Sequence, residues 1–187
     1  MENKETKIII GGFGGQGAVL AGAVLARAAM AQDKNVTQMV SYGPEMRGGT
    51  ANTTVVISDT EIASPVIERP DVAIVLNQPS LDKFEQRIVT AGLVVVNSSL
   101  VPREVERRDL DVVKIDATQI ANRLGNVRVA NIVTLGAFIE KTNLLKIQSV
   151  RRAIEDLFSE KKPGLIEINK KALAEGAAQS LQLTIDD

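Results

Sequence analysis

The stretch "IIIGGFGGQGAVLAG", residues 8–22, sets Gly12, Gly14 and Gly17 in a Gly-x-Gly-x-x-Gly spacing between an apolar run and a helical pattern. Two chemistries suit such a junction. Glycines allow positive φ and the close approach of a ligand, while the free N–H groups of a helix start favour an anion. The same turn also serves plain helix–strand packing with no ligand. The spacing alone is a weak signal, strengthened by its place directly after an expected strand. A NAD site needs an acidic residue at the end of the second strand, about 20 residues beyond the glycines, to hold the ribose hydroxyls. That strand ends at Ser41 and Tyr42, with Asp33 before it and Glu45 already in the following loop. The nicotinamide fingerprint is therefore incomplete. A self-contained NAD(P)-dependent reductase and a free-standing nucleotide-binding regulator stand as the alternatives to a shared, multi-subunit role.

A second stretch, "SYGPEMRGGTAN" (residues 41–52), begins at the carboxyl end of that second strand, the edge where open α/β sheets bind ligands. Arg47 offers a planar fork for phosphate or carboxylate, and Gly48-Gly49 lets a backbone come close. Glu45 can pair with Arg47 or with a cation of a partner; a structural turn with a solvated ion pair is the plainer alternative. The rest of the inventory is poor in reactive groups. The 187 residues include no Cys and no His. That excludes a disulfide, a thiol nucleophile, a cysteine-ligated cluster, a Ser-His pair and a His-bound metal within the chain. A net charge of −1 gives no general attraction to nucleic acid or anionic membrane. The charged start "MENKETKIII" does not read as a signal peptide, and no apolar run is long enough to span a bilayer, so a cytoplasmic location is expected.

The elements that must carry these motifs alternate. Apolar runs at 7–10, 35–41, 51–58, 71–77, 93–97 and in "DVVKIDA" read as strands. Helical patterns cover 16–32 and a segment from Pro79 to about residue 91. From Thr118 onward the chain is mostly helical. Three layers follow: an α/β, Rossmann-like domain spanning 1–187, with a mainly parallel central sheet and a helical C-terminal part. The sheet is mixed if 51–58 runs antiparallel, since no helix separates it from the strand before. A short edge segment is expected near Ile62, and "REVERRDL" (103–110) reads as a solvated charged face. In "AVLAGAVLARAAMA" only Arg27 is charged, so this helix is covered either by the C-terminal helices or by another subunit. Gly136 in a helical pattern costs about 1 kcal/mol relative to Ala, which points to close helix packing. Asn77 and Asn97-Ser98-Ser99, at strand ends, are either ligand-edge donors or ordinary caps.

"GGFGGQG" followed by "SYGPEMRGGTAN" resembles the γ subunit of 2-oxoacid:ferredoxin oxidoreductases, more the 2-oxoglutarate and branched-chain 2-oxoacid types than the pyruvate type. The resemblance continues through "ASPVIERPDVAIVLNQPSLDKF" and "NIVTLGAFIEKT" and so covers most of the chain. It implies an assembly of alpha, beta, gamma and ferredoxin-like subunits that converts a 2-oxoacid, expected to be 2-oxoglutarate, and coenzyme A to acyl-CoA, carbon dioxide and reduced ferredoxin. Thiamine diphosphate, Mg and iron–sulfur clusters would reside on the companions. This chain has no Gly-Asp-Gly for a magnesium-bound diphosphate, and it is expected to bind no metal or cofactor alone and to hold no catalytic residue. By the same resemblance, Gly12, Gly14, Gly15, Gln16 and Gly17, with Ser41, Tyr42, Glu45, Arg47, Gly48 and Gly49, would form either contacts to coenzyme A or a subunit interface. No nucleic acid or membrane is implied, and self-association of the isolated chain stays open.

Overall fold

The computed structural model describes residues 5–42, 50–158 and 163–185. Six strands form one sheet in the order β2-β3-β1-β4-β5-β6. They are β1 (Thr6–Phe13), β2 (Asn35–Tyr42), β3 (Thr50–Ser58), β4 (Val72–Val75), β5 (Leu93–Asn97) and β6 (Asp111–Ile115). β1, β4, β5 and β6 are parallel, while β3 runs antiparallel to both β1 and β2. The mixed alternative holds: β3 is inserted between the first two strands of a doubly wound arrangement. It follows β2 in the chain and pairs with it antiparallel from Asn35–Ser58 to Tyr42–Ala51.

This antiparallel partner also lengthens β1. Its ladder with β3 continues through Gly12–Ala51 to Phe13–Thr50. Gly12 therefore lies in the strand, and the turn proper is residues 14–17. The first helix, α1 (Ala18–Met30), is correspondingly shorter than its sequence pattern. α2 (Gln78–Phe84) gives way to a 3-10 turn at Glu85–Arg87, and Ile88 is already extended, which ends the helix earlier than its pattern suggested. Among the described residues no strand forms near Ile62.

The two sheet faces are covered unequally. One carries α2 and the 98–110 loop over Ile9, Ala73, Val75, Val94 and Val96. The other carries α1, α3 (Ala117–Arg123), α4 (Ala130–Thr142), α5 (Ile147–Phe158) and α6 (Pro163–Ile185). α4 is buried at every position from Asn131 to Ile139, lying between the sheet and α6. A helix enclosed on all sides must be largely apolar, and apart from Asn131 and Thr134 its buried positions are. α1 packs on the sheet and against α5 and α4, so the chain's own C-terminal helices cover part of it. Where α4 crosses α6 the backbones touch. A Cβ on Gly136 would sit 2.1 Å from the Leu173 carbonyl oxygen, and one on Gly176 would sit 1.9 Å from that of Val133.

The charged 103–110 segment is not simply solvated. Glu85 is 2% exposed. It accepts from Arg103 Nη2 at 2.7 Å and from the backbone N–H groups of Glu106 at 2.6 Å and Arg107 at 3.0 Å. Arg107 in turn donates to the Ile88 carbonyl at 2.5 Å and pairs with Asp109. A buried carboxylate requires such partners, and here they tie the loop to the end of α2. Burial pushes the Glu85 carboxyl up, but the Arg107 N–H, the Arg103 guanidinium and the Glu106 N–H outweigh it and hold it below 4.5.

Two outcomes follow. Gly136→Ala drives a Cβ into the backbone of α6 and forces the two helices apart, so urea unfolding should show a loss of about 3 kcal/mol, near the upper end for overpacking. Glu85, with its lowered folded pKa, contributes stability that is complete above pH 4.5 and lost as pH falls through the folded value. Thermal melts between pH 6 and 3 should therefore fall less steeply for Glu85→Gln, from a lower starting point, than for the natural chain.

Candidate functional site

The carboxyl ends of β1, β4 and β5 open on one edge of the sheet, and the glycine turn sits there. Gly17, at φ +80°, precedes α1, and Gly15 adopts φ +94°. Both values favour glycine on backbone grounds. The turn is held by side-chain amides from distant parts of the chain. Gln16 Oε1 accepts from the Phe13 N–H at 2.6 Å and from Asn77 Nδ2 at 2.8 Å. Asn77 Oδ1 accepts from the Ser80 N–H at 3.0 Å and its hydroxyl at 2.7 Å, capping α2. Asn131, in the first turn of α4, donates Nδ2 to the Gly17 carbonyl at 2.8 Å. Any Cβ on Gly17 would stand 2.4 Å from that same Asn131 nitrogen.

Gly14 is different. It has no positive φ, and a Cβ built on it meets nothing within 4 Å. Neither backbone conformation nor packing among the described residues accounts for a glycine there.

Beside the turn lies a small cavity lined by Gly15, Gln16, Leu76, Asn97, Arg128 and Asn131, among others. Asn97 Nδ2 donates to Thr118 Oγ1 at 2.9 Å and to the Leu76 carbonyl at 3.3 Å, while its Oδ1 accepts from the Thr118 N–H. Asn131 is 1% exposed, yet its Oδ1 has no hydrogen-bond partner among the described residues. A buried carbonyl oxygen of this kind calls for a donor from outside the described residues. Arg128 is exposed and makes no ion pair among the described residues. The set combines apolar walls, amides and one guanidinium, the composition of a small-molecule binding pocket. Among the described residues no group of His, Cys, Asp or Glu could hold a metal ion.

The sequence-derived site is partly assembled. Gly14, Gly15, Gln16 and Gly17 form the turn, with Gly12 one step back in β1. Tyr42, Ala51 and Gly12 form one row across β2, β3 and β1, so Ser41 and Tyr42 end on the same edge as the turn. At strand spacing that row spans roughly 10 Å. Glu45, Arg47, Gly48 and Gly49 lie outside the described residues. Asn77 caps α2 and supports the turn at once, whereas Asn97 joins the Leu76 carbonyl to the start of α3. Ser98 and Ser99 both donate to Asp116 Oδ1, at 3.0 and 3.2 Å, and so are engaged in the loop. Asn131 and Arg128 were missed. The one signal for Asn131 was an amide within the otherwise apolar "VANIVTLGAF".

The chain matches the family model of pyruvate ferredoxin/flavodoxin oxidoreductases over residues 7–179. It is 42% identical over 153 residues to the 2-oxoglutarate synthase subunit KorC of Methanocaldococcus jannaschii, a match covering 80% of this chain and 82% of that one. It is 36% identical over 177 residues to the ketoisovalerate oxidoreductase subunit VorA of Methanothermobacter thermautotrophicus, covering 94% of this chain but only 36% of that longer one. Its structure resembles the crystal structure of the γ subunit of a keto/oxoacid ferredoxin oxidoreductase from Geobacter sulfurreducens, with a TM-score of 0.81 and 31% identity over 95% of this chain and 99% of that one. The chain therefore belongs to the pyruvate ferredoxin/flavodoxin oxidoreductase family. Within it, this is a γ-type subunit of a 2-oxoacid:ferredoxin oxidoreductase. No helix among the described residues is long and apolar enough to cross a membrane.

The two kinds of glycine separate by substitution. Gly17→Ala should destabilise the chain by about 1–3 kcal/mol, through positive-φ strain and the clash with Asn131. Gly14→Ala should unfold within about 0.5 kcal/mol of the natural chain in the same denaturant titration.

Proposed function

We propose that this chain is the non-catalytic γ subunit of an enzyme that oxidatively decarboxylates 2-oxoglutarate, with the turn and its neighbouring cavity contributing contacts to coenzyme A. The observation that carries the reading is Gly14: its missing side chain leaves open space on the outer face of a turn whose other elements are rigidly held. Coenzyme A bears a diphosphate and a 3′-phosphate. The start of α1, with Gly14 and Gly15 before it, offers N–H groups for an anion, and Arg128 adds a cation at the cavity rim. The unpartnered Asn131 Oδ1 would accept from an N–H group of the ligand. Arg47 joins this set by the family resemblance.

Alpha, beta and ferredoxin-like companions would supply the chemistry. Thiamine diphosphate with Mg, and iron–sulfur clusters, carry the decarboxylation and electron transfer when bound there. With no Cys or His, this chain offers no cluster ligands of its own. Its own contribution is to bind and orient: the amide bracket of Gln16, Asn77 and Asn131 fixes the turn before any ligand arrives, which lowers the ordering cost of binding. The 2-oxoglutarate reading is supported by the 42% identity to the 2-oxoglutarate synthase subunit KorC, with which this chain shares most of its length.

The test is Gly14→Asp in the assembled enzyme. A carboxylate in that open space should raise the KM for coenzyme A at least about tenfold, with the KM for the 2-oxoacid and the melting temperature unchanged. An unchanged KM for coenzyme A in an intact complex removes coenzyme A from this turn. Loss of assembly by an otherwise stably folded chain makes the turn a subunit interface instead.

A further inference from the structure

The sheet carries a second opening, on the face opposite α1. Gly11 lets α2 settle directly onto β1, since a Cβ there would stand 2.7 Å from the Phe84 ring and 2.9 Å from the Ser80 side chain. α2 packs on β1 and β4 in this way, and beyond it a groove opens over β3 and β2, lined also by residues 65–67. Two sheet rows floor it. Ile9, Thr54 and Met39 pair across β1, β3 and β2, and two residues along Asn52 pairs with Ser41. Side chains two apart in a strand share a face, so all five point the same way.

The polar groups of this groove lack partners. Asn52 is only 8% exposed, yet among the described residues its side-chain amide makes no hydrogen bond. The other buried amides Asn77, Asn97 and Asn169 are all engaged. The hydroxyls of Ser41 and Thr54 are likewise unpaired among the described residues. Arg87 is the charged member of the lining. Its Nε donates to the Glu68 carbonyl at 3.2 Å, and its Nη2 donates to the carbonyls of Ile67 and Glu68, both at 3.1 Å. The guanidinium also lies 5.8 Å from the Phe84 ring centre. These contacts fix its plane and leave Nη1 without an acceptor among the described residues. Arg87 makes no ion pair there, and no Asp or Glu lines the groove.

We propose that this groove is a binding site for a small carboxylate with a short alkyl chain, separate from the glycine turn. An ionised carboxylate only accepts hydrogen bonds, and each unpartnered group here has an N–H or O–H to donate. Arg87 Nη1 supplies the charge, and the Asn52 amide and the two hydroxyls supply the remaining donors. Ile9, Met39 and Ile67 form the wall for the alkyl part. One cation and a mostly apolar lining suit a singly charged acid better than a phosphate. The free volume of about 280 Å³ falls just below the roughly 300–1,000 Å³ of pockets for drug-sized ligands, so the occupant is small. Holding an unpaired amide in a buried place costs stability, and the ligand offsets that cost by accepting from it. The inference does not depend on coenzyme A binding at the turn.

The test is titration of the purified full chain with isovalerate, followed in proton–nitrogen NMR spectra. Saturable shifts are expected at the backbone amides of Asn52, Thr54 and Arg87, with none at Gly15 and Gly17. Isovaleramide, of the same shape without the charge, should give no such shifts. Asn52→Leu keeps the shape and removes the unpaired amide. It should raise the dissociation constant at least about tenfold while the melting temperature stays equal or rises. Arg87 also holds the 67–68 carbonyls, so Thr54→Val serves as the second variant, with at least about threefold weaker binding and an unchanged melting temperature. Repeating the titration with 2-oxoisovalerate separates two sources of the acid. Tighter binding supports the 2-oxoacids of the enzyme as the ligands, and equal binding supports alkyl acids in general. Absence of saturable shifts at these amides overturns the proposal. So does isovalerate binding that Asn52→Leu leaves unchanged, and so does tighter binding of inorganic phosphate at the same amides.

Discussion

Two helices touch backbone to backbone at Gly136 and Gly176, and the carboxyl edge of the sheet is organised by that contact. Because α6 can come so close, α4 sinks fully between it and the sheet. Asn131 lies five residues before Gly136, about 7.5 Å along the helix axis. The crossing therefore sets where the first turn of α4 reaches, and Asn131 reaches the carbonyl of Gly17. A side chain at either glycine would lift α4 off α6 and carry Asn131 with it. Packing far from the edge thus decides the geometry of the edge.

The turn itself is a composite. Its residues are contiguous, but its supports come from α2 (Asn77) and α4 (Asn131), 61 and 114 positions away from their partners in the turn. Amides suit this work because one group both donates and accepts, and buried backbone groups near a sheet edge need both. Gln16 accepts twice and so closes the strand end onto the turn. Among the described residues Asn131 Oδ1 meets no donor. Buried polar networks of this kind lose much when half satisfied.

Much of the fold was legible in the sequence. β5 was placed from Leu93 to Asn97 without error, and most other strands within a few residues, because continuous β-branched runs flanked by turn residues have few other uses. The antiparallel place of β3 was open and followed from the absence of a helix before it. What was hidden was long-range. The extension of β1 through Gly12 depends on a partner forty residues later, so the glycine motif was read as one turn when it is a strand end plus a turn. Arg103 and Arg107 read as part of a solvated charged face, because only the fold brings them to Glu85. Asn131 was concealed in the same way, as a lone amide in an apolar helix. The motifs pointed to the glycine turn, and only tertiary structure identified what holds it.

The central claim is that this chain binds and orients on behalf of catalytic companions. The most direct measurement is affinity purification of the tagged chain from its native cells under gentle conditions, followed by assay of the recovered material. The account predicts co-purification with a thiamine diphosphate-binding chain and a ferredoxin-like chain, and electron transfer that requires both a 2-oxoacid and coenzyme A. A folded chain recovered alone and saturable with NADH or another free nucleotide would contradict it.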